Sequence, residues 1–325
     1  MRAGRDLLSL TLIAAAAVLL FGGAAQAAPI TIGSPLSGTF KSGTLPAATL
    51  FNLSLPEAGA QATSPVDGAI VRWRVLDAAG PLRLRVLRPL GGKSYQSVGA
   101  STTVNPASLG TEAFATNLPV RAGDTIGIDS ATGSKLGYQL GGPIAGWVPP
   151  LGEGESSEYV ATEPVELAFN ADVQPRPTVT ALTPSSDSIR GGSTVTVAGT
   201  DFAGVSGVSF GSVPATAFSV GSEGSLTAVV PASAGPGTVD VTVTTVAGTS
   251  PVSAADRFTY VACAVPKLKG LKLKAARKKL RQALCRPGKV RLRGGATAKT
   301  GRVVKQSPKP RTTLAPEAKV NLTLR

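Results

Sequence analysis

Histidine, the side chain used most often for acid–base catalysis near neutral pH, is absent from this 325-residue sequence. Its absence excludes Ser-His-Asp and Cys-His catalytic arrangements, and also zinc sites that use histidine. Residues 207–211 match the letters of a nucleophile elbow, but no base is available to activate Ser209, and the pattern is that of a strand. The sequence has no phosphate-binding loop or dinucleotide fingerprint. We therefore predict a protein that is not an enzyme and uses no metal and no cofactor.

Carboxylates are the remaining side chains that could catalyse hydrolysis, because a pair of them can cleave a glycosidic bond. Catalytic acids need a rigid, partly buried setting that tunes their pKa, whereas the Gly-rich segment 152–158 has the composition of a solvated loop. A Ca²⁺ site and a hydrolase are the alternatives to that interpretation. The glutamates in or beside this segment are Glu153, Glu155, Glu158, Glu163 and Glu166.

Positive charge is concentrated at the C-terminal end. Residues 263–325 contain 19 Lys and Arg and one acid, Glu317, which gives a net charge of +18. Residues 28–262 contain 12 Lys and Arg and 17 acids, a net charge of −5. Such asymmetry indicates an anionic partner, and because residues 263–325 contain no aromatic side chain to stack on bases, we expect no nucleic acid. The residues predicted to bind an anionic polymer are Lys274, Arg277, Lys278, Lys279, Arg281, Arg291, Arg293, Arg302 and Lys305.

Residues 1–27 have the features of a secretory signal peptide. Arg2 and Arg5 precede an apolar run, Leu7–Phe21, and residues 25–27 supply the small side chains of a cleavage site. The run is short for a membrane-spanning helix; an uncleaved anchor is the alternative. No second apolar stretch follows. We expect an exported protein, secreted or associated with the cell wall, with no membrane span after processing.

Cys263 and Cys285 are the two cysteines of the chain. An even number of cysteines in an exported chain indicates a disulfide. Closing this 22-residue separation would stabilise the fold by about 3 kcal/mol. A free reactive pair is the alternative, and two cysteines without histidine cannot fill the four positions of a zinc site.

Residues 28–173 are predicted to form a β-sandwich domain, because short strand-like segments alternate with clusters of Pro, Gly, Ser and Thr. No segment has sustained helical periodicity, and the sequence does not identify a ligand. The predicted strands are Ala48–Leu55, Ala69–Asp77, Leu82–Arg88, Thr125–Asp129, Leu136–Leu140 and Val165–Val173.

Apolar residues alternate with arginines in two of these segments, residues 71–75 and 82–86. A hairpin that turns at residues 78–79 would bury the apolar side chains, Trp73 included, and set the arginines of the two strands opposite one another. Like charges in that arrangement are unfavourable, so an acidic group is expected nearby. The charges would be met by glutamates of a neighbouring strand, by plain solvation, or by an acidic ligand bound by Arg72, Arg74, Arg83 and Arg85.

Residues 177–260 contain short alternating strands separated by Gly and Pro. The most distinct are Ser193–Ala198, Val205–Phe210, Leu226–Val230 and Thr238–Thr245. The segment also contains Thr183-Pro184, Gly191-Gly192-Ser193, Val197–Phe202, Val208–Gly211, Val230-Pro231 and Phe258-Thr259-Tyr260, in that order. It resembles the IPT/TIG domain over its whole length. The resemblance implies an immunoglobulin-like β-sandwich without catalytic activity.

Residues 263–325 contain the one persuasive helix, Lys272–Leu284, whose apolar side chains recur at helical spacing. We expect Pro287-Gly288 to end it and three strands to follow, at Lys289–Arg293, Arg302–Gln306 and Lys319–Leu324. The residues Val265–Gly270, Ala276, Leu280, Gly301–Val303, Gln306–Pro308 and Val320–Leu322 make this segment similar to a PASTA domain. The resemblance implies a small α+β fold that binds peptidoglycan fragments, although Arg311 and Ala318 stand where such domains usually have turn glycines.

Together these observations predict a mainly β protein with a basic α+β unit at its C-terminal end. The function predicted is a non-catalytic binding or structural role in the cell envelope, with peptidoglycan or anionic wall polymers as partners. A carbohydrate-binding, lectin-like role of residues 28–173 is the alternative hypothesis. For stacking on a sugar, Trp147 is the better aromatic candidate, because Trp73 is predicted to be buried.

Overall fold

The computed structural model describes residues 29–107, 109–161 and 164–325. These residues form 29 strands and one α-helix, so the chain is mainly β, as predicted. Their buried apolar side chains gather in four clusters: two in the N-terminal unit (residues 30–175), one in the middle unit (178–261) and one in the C-terminal unit (263–325). The predicted signal peptide, residues 1–27, lies outside the described residues.

The N-terminal unit consists of fourteen short strands. They are β1 (Ile30–Gly33), β2 (Lys41–Thr44), β3 (Ala48–Asn52), β4 (Gly68–Leu76), β5 (Leu82–Gly91), β6 (Ser94–Ala100), β7 (Thr111–Val120), β8 (Thr125–Ser130), β9 (Lys135–Leu140), β10 (Ile144–Trp147), β11 (Ser156–Glu158), β12 (Val160–Ala161), β13 (Val165–Leu167) and β14 (Phe169–Pro175).

Two sheets of this unit face each other across the larger apolar cluster. One has the strand order β1-β14-β4-β7, and the other β11-β6-β5-β8-β3-β10-β12; a third, small sheet is β13-β9-β2. Trp73 of β4 and Leu84 of β5 are both fully buried in the cluster between the sheets. The alternation of strand side chains directs one set inward and the other outward, which produces the predicted β-sandwich.

The predicted hairpin between residues 71–75 and 82–86 is wrong. Strand β4 pairs with β14 and β7, and strand β5 pairs with β8 and β6, so the two segments lie in opposite sheets. The alternation predicted the buried apolar side chains of residues 73–75 and 82–86 correctly. Val71 was predicted wrongly, because the register shifts between Ile70 and Arg72 and Ile70 is buried in its place. Alternation also contains no information about the partner strand. The arginines of the two segments therefore lie on opposite outer faces and do not meet.

The outer face of the seven-stranded sheet bears the smaller apolar cluster of this unit. Phe51, Leu87 and Trp147 belong to it, and the segment after β10 folds over it so that Leu151 is also buried. The backbone N–H of Leu151 donates to Thr49 Oγ1 at 3.0 Å, which ties that segment to the sheet.

The middle unit is a sandwich of two sheets, with strand orders β15-β17-β21-β20 and β16-β24-β22-β18-β19; β23 pairs with β22. Phe202, Phe210 and Phe258 are fully buried between the sheets. Residues 207–211 begin with strand β18, as predicted, and not with a strand-to-helix elbow. The strands are β15 (Thr178–Thr183), β16 (Ser186–Ser188), β17 (Thr194–Thr200), β18 (Gly207–Phe210), β19 (Val213–Pro214), β20 (Ala217–Ser222), β21 (Ser225–Val229), β22 (Gly237–Thr245), β23 (Gly248–Thr249) and β24 (Arg257–Val261).

The C-terminal unit consists of one helix packed on a three-stranded sheet. Strand β29 is central in that sheet, parallel to β26 and antiparallel to β27; β25 and β28 form a separate pair. The elements are β25 (Cys263–Ala264), α1 (Leu273–Gln282), β26 (Arg286–Leu292), β27 (Val303–Ser307), β28 (Thr313–Leu314) and β29 (Lys319–Leu324).

Helix α1 ends earlier than predicted, and Pro287-Gly288 lies inside strand β26 instead of stopping the helix. The chain turns at Leu284, which adopts a left-handed conformation (φ 57°). The N–H of Cys285 donates to the carbonyl of Leu280, a hydrogen-bond pattern that closes helix ends. Of the two positions where a turn glycine was expected, Arg311 does adopt the left-handed conformation, at φ 69°. At the second position the left-handed residue is Glu317, at φ 63°, and not Ala318.

None of the described residues belongs to a helix with the length and apolar character that crossing a membrane requires.

Candidate functional site

The sheet of the C-terminal unit has one buried face and one exposed face. On strand β29, Val320, Leu322 and Leu324 are buried in the core, where Leu273, Ala276 and Leu280 of helix α1 also lie. The intervening residues Asn321 and Thr323, and Arg325 just after the strand, line the opposite side of the sheet. The helix therefore covers one face and leaves the other open.

The open face contains a groove of about 590 Å³. Five cationic side chains from all three strands or their ends line it, and no acidic side chain of the described residues does. Uncharged hydrogen-bonding groups lie between the cations, supplied by Ser307, Asn321 and Thr323. The cations are Lys289, Arg291, Arg293, Lys305 and Arg325, all of them exposed.

Strand register places the cations in rows across the sheet. Thr323 of the central strand is paired with Arg291 on one side and with Lys305 on the other. Cross-strand neighbours on one face lie about 5 Å apart at Cβ, so a hydroxyl group stands between two positive charges. Lys289 on β26 and Arg293 just after it continue the charge in steps of two residues.

Counter-charge within the unit is minimal. Its single acid, Glu317, accepts a hydrogen bond from Arg286 at 2.5 Å, and both side chains are largely exposed. The groove cations are therefore left with water and salt ions as neighbours. Arginine presents a planar fork that binds a carboxylate or phosphate through two hydrogen bonds, so the groove is chemically suited to an extended anionic molecule.

The structure brings together only some of the predicted binding residues. Arg291, Arg293 and Lys305 lie in the groove. The helical cations Lys274, Arg277, Lys278, Lys279 and Arg281 lie on α1, on the other side of the sheet. Arg302 lies outside the groove lining, and its Nη1 donates to the carbonyl of Gly270 at 2.9 Å.

Sequence reasoning missed two cations of the groove, Lys289 and Arg325. A signal for the first was present, because Lys289, Arg291 and Arg293 alternate with apolar residues and so share one face of a strand.

Gln306 has a structural role that differs from that of the cations. Its side chain accepts from the N–H of Leu268 and donates to the carbonyl of Pro266, so it fastens the start of the unit to β27.

The predicted disulfide between Cys263 and Cys285 is present. It joins β25, where the unit begins, to the residue that follows the helix turn at Leu284. Both cysteines are buried in the core of the unit. The bond therefore fixes the position of the helix end relative to the first strand, beneath the sheet.

Comparison with known families assigns two parts of the chain. Residues 177–260 match the family model described as IPT/TIG domain, and residues 264–325 match the family model described as PASTA domain. The chain carries an IPT/TIG domain followed by a PASTA domain. The groove lies in the PASTA domain, and both domain types are non-catalytic.

Two solved structures are similar to parts of the chain. The full extracellular region of plexin A4 is 19% identical, with a TM-score of 0.24, covering 44% of this chain and 13% of that one. SGBP-B, from a complex xyloglucan utilization locus in Bacteroides uniformis, is 15% identical, with a TM-score of 0.22, covering 64% of this chain and 49% of that one. At TM-scores this low, neither similarity bears on function. A search of curated proteins found no similar sequence.

The four arginines of the predicted patch are neutralised by buried aspartates of neighbouring strands. Arg85 is fully buried, and its Nη2 lies 2.5 Å from Asp129 of β8. The same carboxylate accepts from Arg83 Nε at 2.6 Å and from Thr49 Oγ1 at 2.6 Å. Arg85 also donates to the hydroxyl of Ser97.

The second arginine pair has an equivalent partner in the facing sheet. Arg74 donates two hydrogen bonds to Asp172 of β14, each 2.8 Å long, and Arg72 Nε donates a third at 2.8 Å. Burial by itself would raise the pKa of Asp172, but these hydrogen bonds and the two positive charges lower it below its ordinary value. The predicted patch of Arg72, Arg74, Arg83 and Arg85 is therefore two separate structural clusters.

The glutamates considered for catalysis or calcium binding do not converge. Glu155 accepts from the N–H of Gly152 in an exposed turn, whereas Glu166 is buried on β13. The side-chain N–H₂ of Gln139 donates to both Glu166 and Glu57. The pKa of Glu57 is raised, mainly by burial and also by the hydrogen bond and negative charge of Glu166. Glu163 lies outside the described residues. No group of three or more His, Cys, Asp or Glu among the described residues is arranged to hold a metal ion.

Neither tryptophan is arranged to stack on a sugar. Trp73 is fully buried, as predicted. Trp147 borders a cavity of about 870 Å³, but it is only 8% exposed, and its ring stacks on Phe51 with centroids 5.5 Å apart. Its indole N–H is already used by the carbonyl of Glu158, at 2.9 Å. The geometry thus gives the lectin-like hypothesis no exposed aromatic platform at this position.

Proposed function

We propose that this protein is a non-catalytic cell-envelope binding protein, exported by its N-terminal signal peptide and held to peptidoglycan or anionic wall polymers by its PASTA domain. The observation that carries the proposal is the groove: five exposed cations, no acidic lining residue, and hydrogen-bonding side chains between the charges. The IPT/TIG domain and the N-terminal sandwich then serve as the body that the PASTA domain attaches to the wall.

The groove chemistry suits a wall polymer in two ways. Arg291 and Arg293 would pair with carboxylates of peptide stems or phosphates of anionic polymers, where the fork of a guanidinium gives two hydrogen bonds. Ser307, Asn321 and Thr323 offer hydroxyl and amide groups to the polar, uncharged parts of such a polymer. Because the contact is charge-driven and exposed, added salt weakens it steeply.

Sedimentation with purified peptidoglycan sacculi tests the proposal. The full protein is expected to pellet with the sacculi, and a chain that ends at Ala262 is expected to stay in the supernatant. Equal pelleting of the two would show that the PASTA domain is not the anchor.

A charge-matched pair of variants tests the groove itself. Lys289→Gln, Arg291→Gln and Lys305→Gln combined remove three groove charges, whereas Lys267→Gln, Lys299→Gln and Lys309→Gln combined remove three exposed charges of the same domain outside the groove lining. We expect the first variant to lose binding about ten-fold or more, and the second to lose much less. Equal losses would mean that total charge, and not the groove, determines binding.

A further inference from the structure

The helix of the PASTA domain carries a second cationic surface, separate from the groove. Lys274, Lys278 and Arg281 are spaced i, i+4 and i+7, which places them in one row along α1. All three are exposed, whereas Leu273, Ala276 and Leu280 on the other side of the helix are buried. We call these three residues the helix row.

The helix row and the groove point in opposite directions. The helix packs on the sheet face that bears Leu322 and Leu324, and the groove lies on the face that bears Thr323 and Arg325. The helix alone, with its side chains, is about 10–12 Å across, which exceeds the ~8 Å Debye length at physiological ionic strength. An anion bound in the groove therefore does not neutralise the helix row.

The helix row is electrostatically unfavourable for the isolated domain. Lys274 and Lys278 are like charges at i, i+4, a spacing that destabilises a helix. The first turn of α1 contains no acid to interact with the positive end of the helix dipole. The single acidic side chain of the domain, Glu317, is paired with Arg286. Arg281 lies in the last turn, where the negative end of the helix dipole favours a cation. No acidic side chain of the domain offsets the repulsion between Lys274 and Lys278, whereas an external polyanion would.

We propose that the helix row is a second binding site for an extended anionic polymer, so that one PASTA domain bridges two polymer chains. The proposal rests on the proposed function, since it assumes that the groove holds the first chain. The ligand class is a linear polymer with regularly spaced carboxylates or phosphates. In a wall, such bridging would add a cross-link between chains without any covalent chemistry.

Light scattering of the purified protein mixed with a linear polyanion tests the bridging. Polyphosphate is the phosphate probe and poly-glutamate the carboxylate probe. The wild-type protein is expected to gather several polymer chains into large particles near charge equivalence. Combined Lys274→Gln, Lys278→Gln and Arg281→Gln is expected to reduce the scattering about ten-fold or more, because each domain then holds one chain. Glutamine keeps helix propensity, so the fold is preserved.

Calorimetry with tripolyphosphate, which is too short to bridge, provides the second measurement. The wild-type protein is expected to bind at two sites and the helix-row variant at one, whose affinity stays within about two-fold of the wild-type value. The variant with Lys267, Lys299 and Lys309 changed to glutamine has the same total charge as the helix-row variant and should still bridge. Equal loss of scattering in both variants, or a single wild-type site, would overturn the bridging proposal. Absence of any polyanion binding by the wild-type protein would instead overturn the proposed function.

Discussion

The same sequence pattern, cations at alternate positions of a strand, has opposite outcomes at the two ends of this molecule. In the N-terminal unit, Arg83 and Arg85 share Asp129, and Arg72 and Arg74 share Asp172. In the PASTA domain, Arg291 and Arg293 line a groove without any acid. The pattern of the strand is therefore not what decides whether its cations form ion pairs within the fold or stay exposed without one.

What decides is the residue on the neighbouring strand. Asp129 is the register partner of Arg83, and Asp172 is the register partner of Arg72, so each carboxylate is positioned by the sheet to neutralise two arginines. The register partner of Arg291 is Thr323, which carries no charge. Buried paired charges make a fold intolerant of losing either partner, whereas exposed cations without a carboxylate partner are hydrated and do not depend on another side chain.

The largest expected effect is that of Asp129→Asn. It leaves the guanidinium of Arg85, fully buried, without a counter-charge, and breaking a buried pair in this way costs about 3–5 kcal/mol. Urea unfolding should show that loss of the free energy of unfolding. Arg83→Gln is the control, because it removes a half-exposed arginine and leaves the Arg85–Asp129 pair intact. A loss for Asp129→Asn no greater than that for Arg83→Gln would show that the buried pair does not stabilise the unit.

Removal of the disulfide is expected to have the next largest effect, and it acts at the other end of the molecule. Combined Cys263→Ala and Cys285→Ala opens the 22-residue separation that the bond closes, which costs about 3 kcal/mol by loop entropy. The exposed cations of the PASTA domain repel one another, and this repulsion, which also lowers the free energy of unfolding, is greatest at low salt. Calorimetric unfolding should therefore show the PASTA transition shifted downward, more at low salt than at high salt, with the other transitions unchanged.

Sequence reasoning predicted much of each element and little of the long-range pairing. Strand β29 has the predicted bounds, and α1 lies inside the predicted helix, because both periodicities are local properties of the chain. The hairpin prediction was wrong because β4 lies between β7 and β14, the latter about a hundred residues further along, and alternation does not indicate which strand pairs with which. Strand β7 was not predicted, since Asn117 and Pro119 interrupt its pattern.

The candidate site was predicted in part for the same reason. The excess of cations in residues 263–325 is a property of composition, so the basic domain was foreseen. Which cations share a face depends on how the helix packs on the sheet, and this divided the predicted set between the groove and α1. Arg325 joins the groove only because β29 is central in the sheet, a fact that follows from tertiary pairing.

Asp172→Asn tests the pH dependence of the second arginine cluster. The native pKa of Asp172 lies below its ordinary value of 3.8, so its ionised form stabilises the fold above that value, and the contribution is lost as the pH falls through the native pKa. The substitution should cost about 1–3 kcal/mol at neutral pH. Urea unfolding over a pH series should show this difference shrinking in acid. The raised pKa of Asp256 in the IPT/TIG domain acts oppositely, but both proteins contain it, so it cancels in the comparison. A difference that stays constant with pH would mean that the charge of Asp172 is not what stabilises the cluster.

The smallest expected effect is a gain in stability, from Lys278→Glu in the helix row. The new carboxylate would lie four residues after Lys274 and three before Arg281, replacing two repulsions by two attractions of about 0.2–0.5 kcal/mol each. Since the lost repulsions are of similar size, we expect the PASTA domain to become about 0.8–2 kcal/mol more stable at low salt, with the gain vanishing at high salt because the charges are exposed and screened. Lys278→Gln is the control and should give roughly half the gain.

The Lys278→Glu variant should also bridge polyanions worse than the Lys278→Gln variant, because its carboxylate repels the polymer as well as failing to attract it. A domain that gains stability and still bridges would separate the two properties, and would show that the unrelieved charge of the helix row has no connection with polymer binding.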